Sequence, residues 1–304
     1  MHYLAGHGQL YRGKLTGNIR GIALVQILII SAILSLVALY ITQSARQQVQ
    51  MAQWALDKSQ ATVDLHSARN RVMFRLLTST WKNDAVILSP SRQWNLYNQP
   101  IQLADNVTLQ LQDQAGLINL HYPQGGGVIE QVLLYQGLTN DEALKAQAVL
   151  FDWQDSDDIT TINGNETNSQ QRNGAMPDIR EWRLHKTLDA DTLSVIQENF
   201  TLYGSSHLNL MTSPEYLLAA LTDDAVAREL VTLRAEGQLT ARQITQAVNQ
   251  SQQMDIFLTP GNNVALTLDV RFGEARVRQK TVINFSPYVV DNKPPVNILQ
   301  RSGG

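Results

Sequence analysis

Arg20-Gly21-Ile22-Ala-Leu-Val-Gln26-Ile-Leu-Ile-Ile-Ser-Ala-Ile-Leu-Ser-Leu-Val-Ala-Leu-Tyr-Ile41 is the stretch on which the fold of this chain turns. Ile22 to Ile41 carries no charge, and only Gln26, Ser31, Ser35 and Tyr40 interrupt its apolar run. About 20 helical residues at roughly 1.5 Å each span a hydrocarbon core, so this segment is expected to cross a membrane once. Met1 to Gly21 contains Arg12, Lys14 and Arg20 and no Asp or Glu, which places that end in the cytoplasm and the rest of the chain outside it. A cleaved secretory signal is the alternative. It needs a shorter apolar region and a small-x-small site, for which Thr42-Gln43-Ser44-Ala45 is a poor match.

Helical character continues past the membrane. Arg46 to Leu77 has no Gly or Pro, and its apolar residues (Val49, Met51, Trp54, Leu56, Val63, Leu65, Val72, Phe74, Leu76) recur at mixed spacings. They are too widely spread for one stripe, so faces for neighbouring helices are expected beside the face for the chain's own sheet. A glycine, an apolar helix and then a long amphipathic helix resemble the type IV prepilin and pseudopilin class. That resemblance implies that a prepilin peptidase cuts between Gly21 and Ile22 and methylates the new amino terminus. It also implies a role for the fifth mature position, where most of the class has Glu and this chain has Gln26. An unpaired charge there costs about 2.5–3.5 kcal/mol in the membrane. A subunit with no neighbour above it gains little from keeping one, so Gln26 points to a tip or initiating subunit.

The 304 residues carry a formal charge of −3 with 17% charged residues, which gives no bias toward polyanions. No cysteine is present, so stability outside the cytoplasm must come from core burial, partners or a metal. Turn signals at Asn83-Asp84, Ser89-Pro90 and Asn98-Gln99-Pro100 mark a break after the helix. Ile101 to Leu111 alternates as one strand, and Leu117 to Leu120 reads as a second strand after a turn at Asp113–Gly116. Val128 to Tyr135 and Asp141 to Trp153 have helical spacing, with Thr139 and Glu142 forming a capping box. The unit recurs weakly: Ile118-Asn119-Leu120 and its helices match Leu208-Asn209-Leu210, a helix capped by Ser213 before Pro214, and a start at Asp223-Asp224. Val264 to Phe272 and Glu274 to Phe285 form a hairpin with Arg271, Arg276, Arg278 and Lys280 on its solvated face, followed by an edge segment and tail.

Between the two helical units lies the most acidic stretch. Asp152, Asp155, Asp157, Asp158 and Glu166 are interleaved with Asn163, Gly164 and Asn165. Such a set suits a hard cation with six to eight oxygen ligands, although the order of an EF-hand is not met. A solvated acidic loop is the alternative, and a paired-carboxylate hydrolase site is a third reading that nothing else here completes. The second helical unit resembles a helix-hairpin-helix module, but its hairpin, Leu221-Thr-Asp223-Asp224, has no glycine and two carboxylates that repel phosphate. No nucleic-acid partner is expected.

Most of the chain resembles the K-type minor pseudopilin family of type II secretion systems (GspK). The motifs are Gly21-Ile22 with Gln26, Gly116-Leu-Ile-Asn119-Leu120, Asp152-Trp153-Gln-Asp155-Ser-Asp157, Gly164-Asn-Glu166 and Leu208-Asn209-Leu210; His121 and Asn165 depart from the family pattern. The resemblance implies an α+β, pilin-like fold, with a long N-terminal transmembrane helix packed on an antiparallel sheet. A large all-α insert, similar to SAM and helix-hairpin-helix domains, interrupts that sheet. Expected divisions are a leader at 1–21, the helix at 22–77, the first sheet segment at 78–122, the insert at 123–250, and the C-terminal sheet and tail at 251–304. The resemblance further implies an inner-membrane protein with a periplasmic body and structural calcium at Asp152, Asp155, Asp157, Asp158 and Glu166. It implies a pseudopilus tip shared with I- and J-type minor pseudopilins, in contact with prepilin peptidase and, in some cases, secreted substrates. A minor pilin of a type IV pilus is the runner-up, and a membrane-anchored hydrolase the alternative from another function class.

Overall fold

The computed structural model describes residues 19–121, 127–166, 172–248, 257–286 and 294–303. The leader up to residue 18 lies outside them. Helix α1 (Ile19–Thr78) is uninterrupted by Gly or Pro beyond Gly21, as its sequence requires. It is the one helix among the described residues with the length and composition to cross a membrane. The chain forms two compact units that meet in sequence between Leu56 and Asp57. In the first, the side chains from Ile22 to Ile41 are all exposed, which suits a lipid solvent rather than water.

The second unit begins with the last part of α1. Asp57, Ala61, Leu65, Ala68, Val72 and Leu76 are buried at steps of three and four residues, which is one stripe of an α-helix. Val63 and Phe74, three turns apart on the opposite meridian, are 56% and 62% exposed. After α1 come β1 (Thr80–Trp81), β2 (Ala85–Ser89) and β3 (Arg92–Asn95), a small antiparallel sheet in a stretch that reads as a break. Strands β4 (Ile101–Ala104) and β5 (Val107–Asp113) then form a hairpin about Asp105-Asn106. The single strand expected from Ile101 to Leu111 is therefore two. Ile101, Leu103, Val107, Leu109 and Leu111 are all odd-numbered, so the two-residue turn leaves the alternation in phase and conceals itself. The second strand expected at 117–120 is also corrected. Leu117 is extended, but only Ile118–Asn119 (β6) pairs as a strand, in parallel with Phe200–Thr201 (β7), 82 residues later in the register Ile118 to Phe200.

The helical insert follows with α2 (Gly127–Tyr135), α3 (Asn140–Gln154), α4 (Ala190–Ile196), α5 (Glu215–Leu221), α6 (Asp224–Ala235) and α7 (Ala241–Ala247). Thr139 caps α3 through the reciprocal bonds with Glu142. Thr240 and Gln243 make the same box for α7. Ser213 does not cap α5. Its hydroxyl is buried and donates to the Gly116 and Asn209 carbonyls instead, and Pro214 takes the N-cap position. The chain returns as β8 (Asn263–Phe272), β9 (Ala275–Phe285) and β10 (Val296–Gly303). The main sheet has the order β10-β9-β8-β5-β4, with every pair antiparallel. Gly273, at φ 54°, turns β8 into β9, and a side chain there would strike the Asp57 carboxylate. The edge segment expected after Asp291 is β10 at the edge of the main sheet, and it runs through Gly303, where tail was expected.

Two apolar cores result. One joins Leu65, Val72 and Leu76 of α1 to Leu109, Leu111, Leu266, Leu268 and Ile283 of the sheet. The other lies within the insert, around Ile129, Leu150, Trp182, Leu193, Leu210 and Leu218.

Candidate metal centre

Helix α3 ends in the acidic motif. Asp152 and Asp155 stand three residues apart at its last turn, which places both on one side of the helix. The unpaired carbonyls of a helix C-terminus carry partial negative charge, so this end attracts a cation before any carboxylate is counted. Asp155 is the C-cap, its N–H donating to the Phe151 carbonyl at 3.0 Å. The following loop folds back through a turn in which the Gly164 N–H donates to the Thr161 carbonyl, with Asn163 at φ 68°. That reversal delivers Glu166. One oxygen each from Asp152, Asp155 and Glu166 lies within 4.8 Å of the other two.

Asp152 and Asp155 sit in different settings. Asp152 is fully buried, and its Oδ1 accepts from the Thr161 hydroxyl at 2.6 Å and the Thr161 N–H at 3.2 Å. Gly164 packs on this carboxylate so closely that any Cβ would overlap Asp152 Oδ2 and Cγ. Asp155 Oδ1 is buried and accepts no hydrogen bond among the described residues. Its carboxyl is pushed up to about 6, first by burial and then by the charges of Asp157, Glu166 and Asp152. A deprotonated oxygen with no donor, facing two more carboxylates, is a poor arrangement for a bare protein and a fitting one around a hard cation.

The rest of the motif holds this site in place. Trp153 Nε1 donates to Glu181, which also takes a bidentate pair from Arg172 at 2.6 Å for each bond. The Trp153 ring meets His185 edge-on at 4.4 Å, and burial lowers the pKa of that histidine. Gln154 donates to the Leu120 carbonyl and accepts from the Met176 N–H. Asp157 and Asp158 lie outside the converging group and are exposed. Asp157 Oδ1 accepts from the Ile159 N–H at 2.8 Å, and Asp158 accepts from Asn173 at 3.2 Å.

Beyond the sequence motifs, Asp113 is the residue that joins the insert to the sheet. Its Oδ1 accepts from the N–H groups of Ala115 and Gly261, and its Oδ2 from Asn209 Nδ2 and the Thr212 hydroxyl, all at 3.0 Å. Burial raises its pKa against the pull of those four bonds. Gly116 is pressed against the Thr212 backbone, so the two motifs containing Gly116 and Asn209 meet here. In the hairpin before α6, Asp223 accepts from the Ala225 and Val226 N–H groups. A carboxylate already fills the place a phosphate would take.

A chain of the GspK–GspI–GspJ complex from the enterotoxigenic Escherichia coli type 2 secretion system has this fold. The TM-score is 0.55 at 16% identity, and the match covers 83% of this chain and 99% of that one. The pilin-like α+β architecture with its helical insert is thereby shared. No family model and no curated protein sequence matches the chain.

Proposed function

We propose that this chain is a minor pseudopilin of a type II secretion system, placed at the pseudopilus tip with I- and J-type partners. The observation that carries this reading is the likeness over nearly the whole length of a chain from a GspK–GspI–GspJ assembly, insert included. The apolar segment from Ile22 to Ile41 supports an inner-membrane anchor, and Gln26 removes the charge that would call for a subunit above. Val63 and Phe74, exposed on the meridian of α1 away from the sheet, offer an apolar face to a neighbouring helix. The role is assembly, and the body outside the membrane is a scaffold.

Calcium belongs to the same proposal. Asp152, Asp155 and Glu166 would hold the ion, which would neutralise their charges and fix the loop between the two helical units. Its role there is structural. The test is to produce the full chain with prepilin peptidase and with I- and J-type minor pseudopilins. An N-methylated Ile22 by mass spectrometry, together with a purified three-subunit complex, is the expected result. An intact Met1 beside active peptidase, or a chain that stays alone with both partners at micromolar concentration, would sink the assignment.

A further inference from the structure

We infer that the outer face of the main sheet, at its open end, docks an extended segment of a partner protein rich in carboxylates. This surface is distinct from the exposed meridian of α1 at Val63 and Phe74 and from the acidic loop, and its test does not depend on the tip assignment. The face is built by strand alternation. Val270, Val277 and Leu268 point into the core, so Asp269, Arg271, Arg276, Arg278 and Lys280 point outward. The insert covers the other end of the same face, where Ala265 and Thr267 are buried, and leaves this end open.

The charges here are not balanced within the sheet. Arg271 stands directly opposite Arg276 in the register, a like-charge pair that destabilises a sheet. Arg278 stands opposite Asp269, yet that carboxylate is taken diagonally by Arg276 in a bidentate pair. The Asp269 carboxyl is held low first by the Arg276 bond and then by the charges of Arg276, Arg271 and Arg278, so all three cations lie close to it. Arg271, Arg278 and Lys280 have no ion pair among the described residues. With Asp105 as the other carboxylate of the hollow, positive charge is in excess locally on a chain whose net charge is −3.

The shape favours a protein segment. A hollow of about 410 Å³ lies over Asp269, Arg271, Arg276 and Arg278. Gln102, Asn106 and Gln110 also line it, and the Asn106 and Gln110 carboxamides, which donate to Asp64 and Asn98, each keep a second N–H for a peptide main chain. Arg278 also lines the larger cleft of about 760 Å³ under the insert, so the groove continues along β9 past Lys280. Arg276, Arg278 and Lys280 recur every second residue, about 6.8 Å apart, which is the repeat of alternate side chains in another extended chain. A flat anionic membrane cannot follow a hollow between strands, whereas an extended chain can set its carboxylates against Arg278 and Lys280 and its neutral side chains beside Asp269 and Asp105.

Fluorescence anisotropy of the full chain in detergent micelles tests this, using a labelled peptide that alternates glutamate and threonine. The peptide is expected to bind, its glutamine counterpart to bind far more weakly, and added salt to weaken the first. Arg278→Glu with Lys280→Glu should reduce affinity roughly tenfold or more, since two attractive charges become repulsive at a partly exposed site. Arg278→Gln with Lys280→Gln, which leaves the Arg276–Asp269 pair intact, should give a smaller loss in the same direction; it decides the matter if the reversed variant fails to fold by thermal scan. Equal affinity of both peptides, unchanged binding in the glutamine variant, or tighter binding of phosphatidylglycerol vesicles or single-stranded DNA than of the acidic peptide would each overturn the inference.

Discussion

The helix-and-sheet body and the helical insert are neighbours within residues 57–304, and they are stabilised in different ways. The body buries an alternating sheet face against one stripe of α1, and its main polar contacts are at the rim. Asp57 accepts from the Glu274 N–H at the β8–β9 turn, and Asp64 accepts from Asn106 at the β4–β5 turn. Burial of that apolar area is the main stabilising term there, at about 25 cal/mol per Å² removed from water. The insert has an apolar core of its own, but it also encloses the Asp152 carboxylate and brings Asp155 and Glu166 beside it. A cluster of that kind loses stability when its charges are exposed to one another and regains it with a counter-ion. Asp113 joins the two regions by satisfying donors from both. The body should therefore be indifferent to calcium, and the insert should not.

The sharpest way to break this comparison is a truncation in the body. Leu65→Ala, at a site 1% exposed, should lower stability by about 2–5 kcal/mol. Urea midpoints should fall equally in calcium and in EGTA; a loss confined to one buffer would show that the two regions are not separate in their energetics. Calcium removal is the next largest effect. Chelation should lower stability by about 2.7 kcal/mol relative to calcium at a hundredfold above Kd. Hydrogen exchange should rise around α3 and its following loop and stay unchanged in β5, β8 and β9. Asp152→Asn, Asp155→Asn and Gly164→Ala should each abolish the calcium-dependent rise in Tm, the last because a methyl group displaces the Asp152 carboxylate. Asp157→Ala and Asp158→Ala should leave most of it.

Asp113→Ala removes an acceptor from four buried donors. Asn209 Nδ2 keeps the Asn83 carbonyl and the Thr212 hydroxyl keeps the Asn209 carbonyl, so the Ala115 and Gly261 N–H groups bear the loss, at about 1–3 kcal/mol for an unsatisfied group before water re-enters. Faster exchange at Ala115, Asn209 and Gly261 with intact exchange protection inside both cores is the expected result, and uniform destabilisation would argue against a joint. The smallest effect is on pH dependence. The Asp155 carboxyl is raised to about 6 from 3.8, so between those values the folded, calcium-free chain holds more protons than the unfolded chain. This group's contribution falls as pH rises through that window and is flat above it. Calcium competes with the same proton, so its affinity should weaken as pH drops below about 6. Calcium titrations at pH 5 and pH 7 giving one affinity would remove Asp155 from the site.

Much of this was legible in the residues, because it rests on local periodicity. The apolar run from Ile22 to Ile41, the Thr139–Glu142 box and the β8–β9 hairpin depend only on spacing and on nearby partners. The acidic stretch was visible as composition, but which carboxylates converge was not. Asp155 and Asp157 differ by two residues in sequence, yet a helix end keeps the first beside Asp152 while an Asx turn spends the second on the Ile159 N–H. The hairpin at Asp105-Asn106 was hidden by an alternation that runs through it in phase, and Ser213 was misread because its hydroxyl answers to Gly116, 97 residues away. Asp113 had no local signal, since its four donors come from separate loops that only packing brings together. The sequence alone determined the long apolar helix, the helix-then-sheet order, the basic face of the β8–β9 hairpin and the position of the acidic loop. The tertiary structure decided the joint, because it depends on contacts between residues distant in the chain, and it decided which carboxylates converge, because that depends on how the loop after α3 folds back.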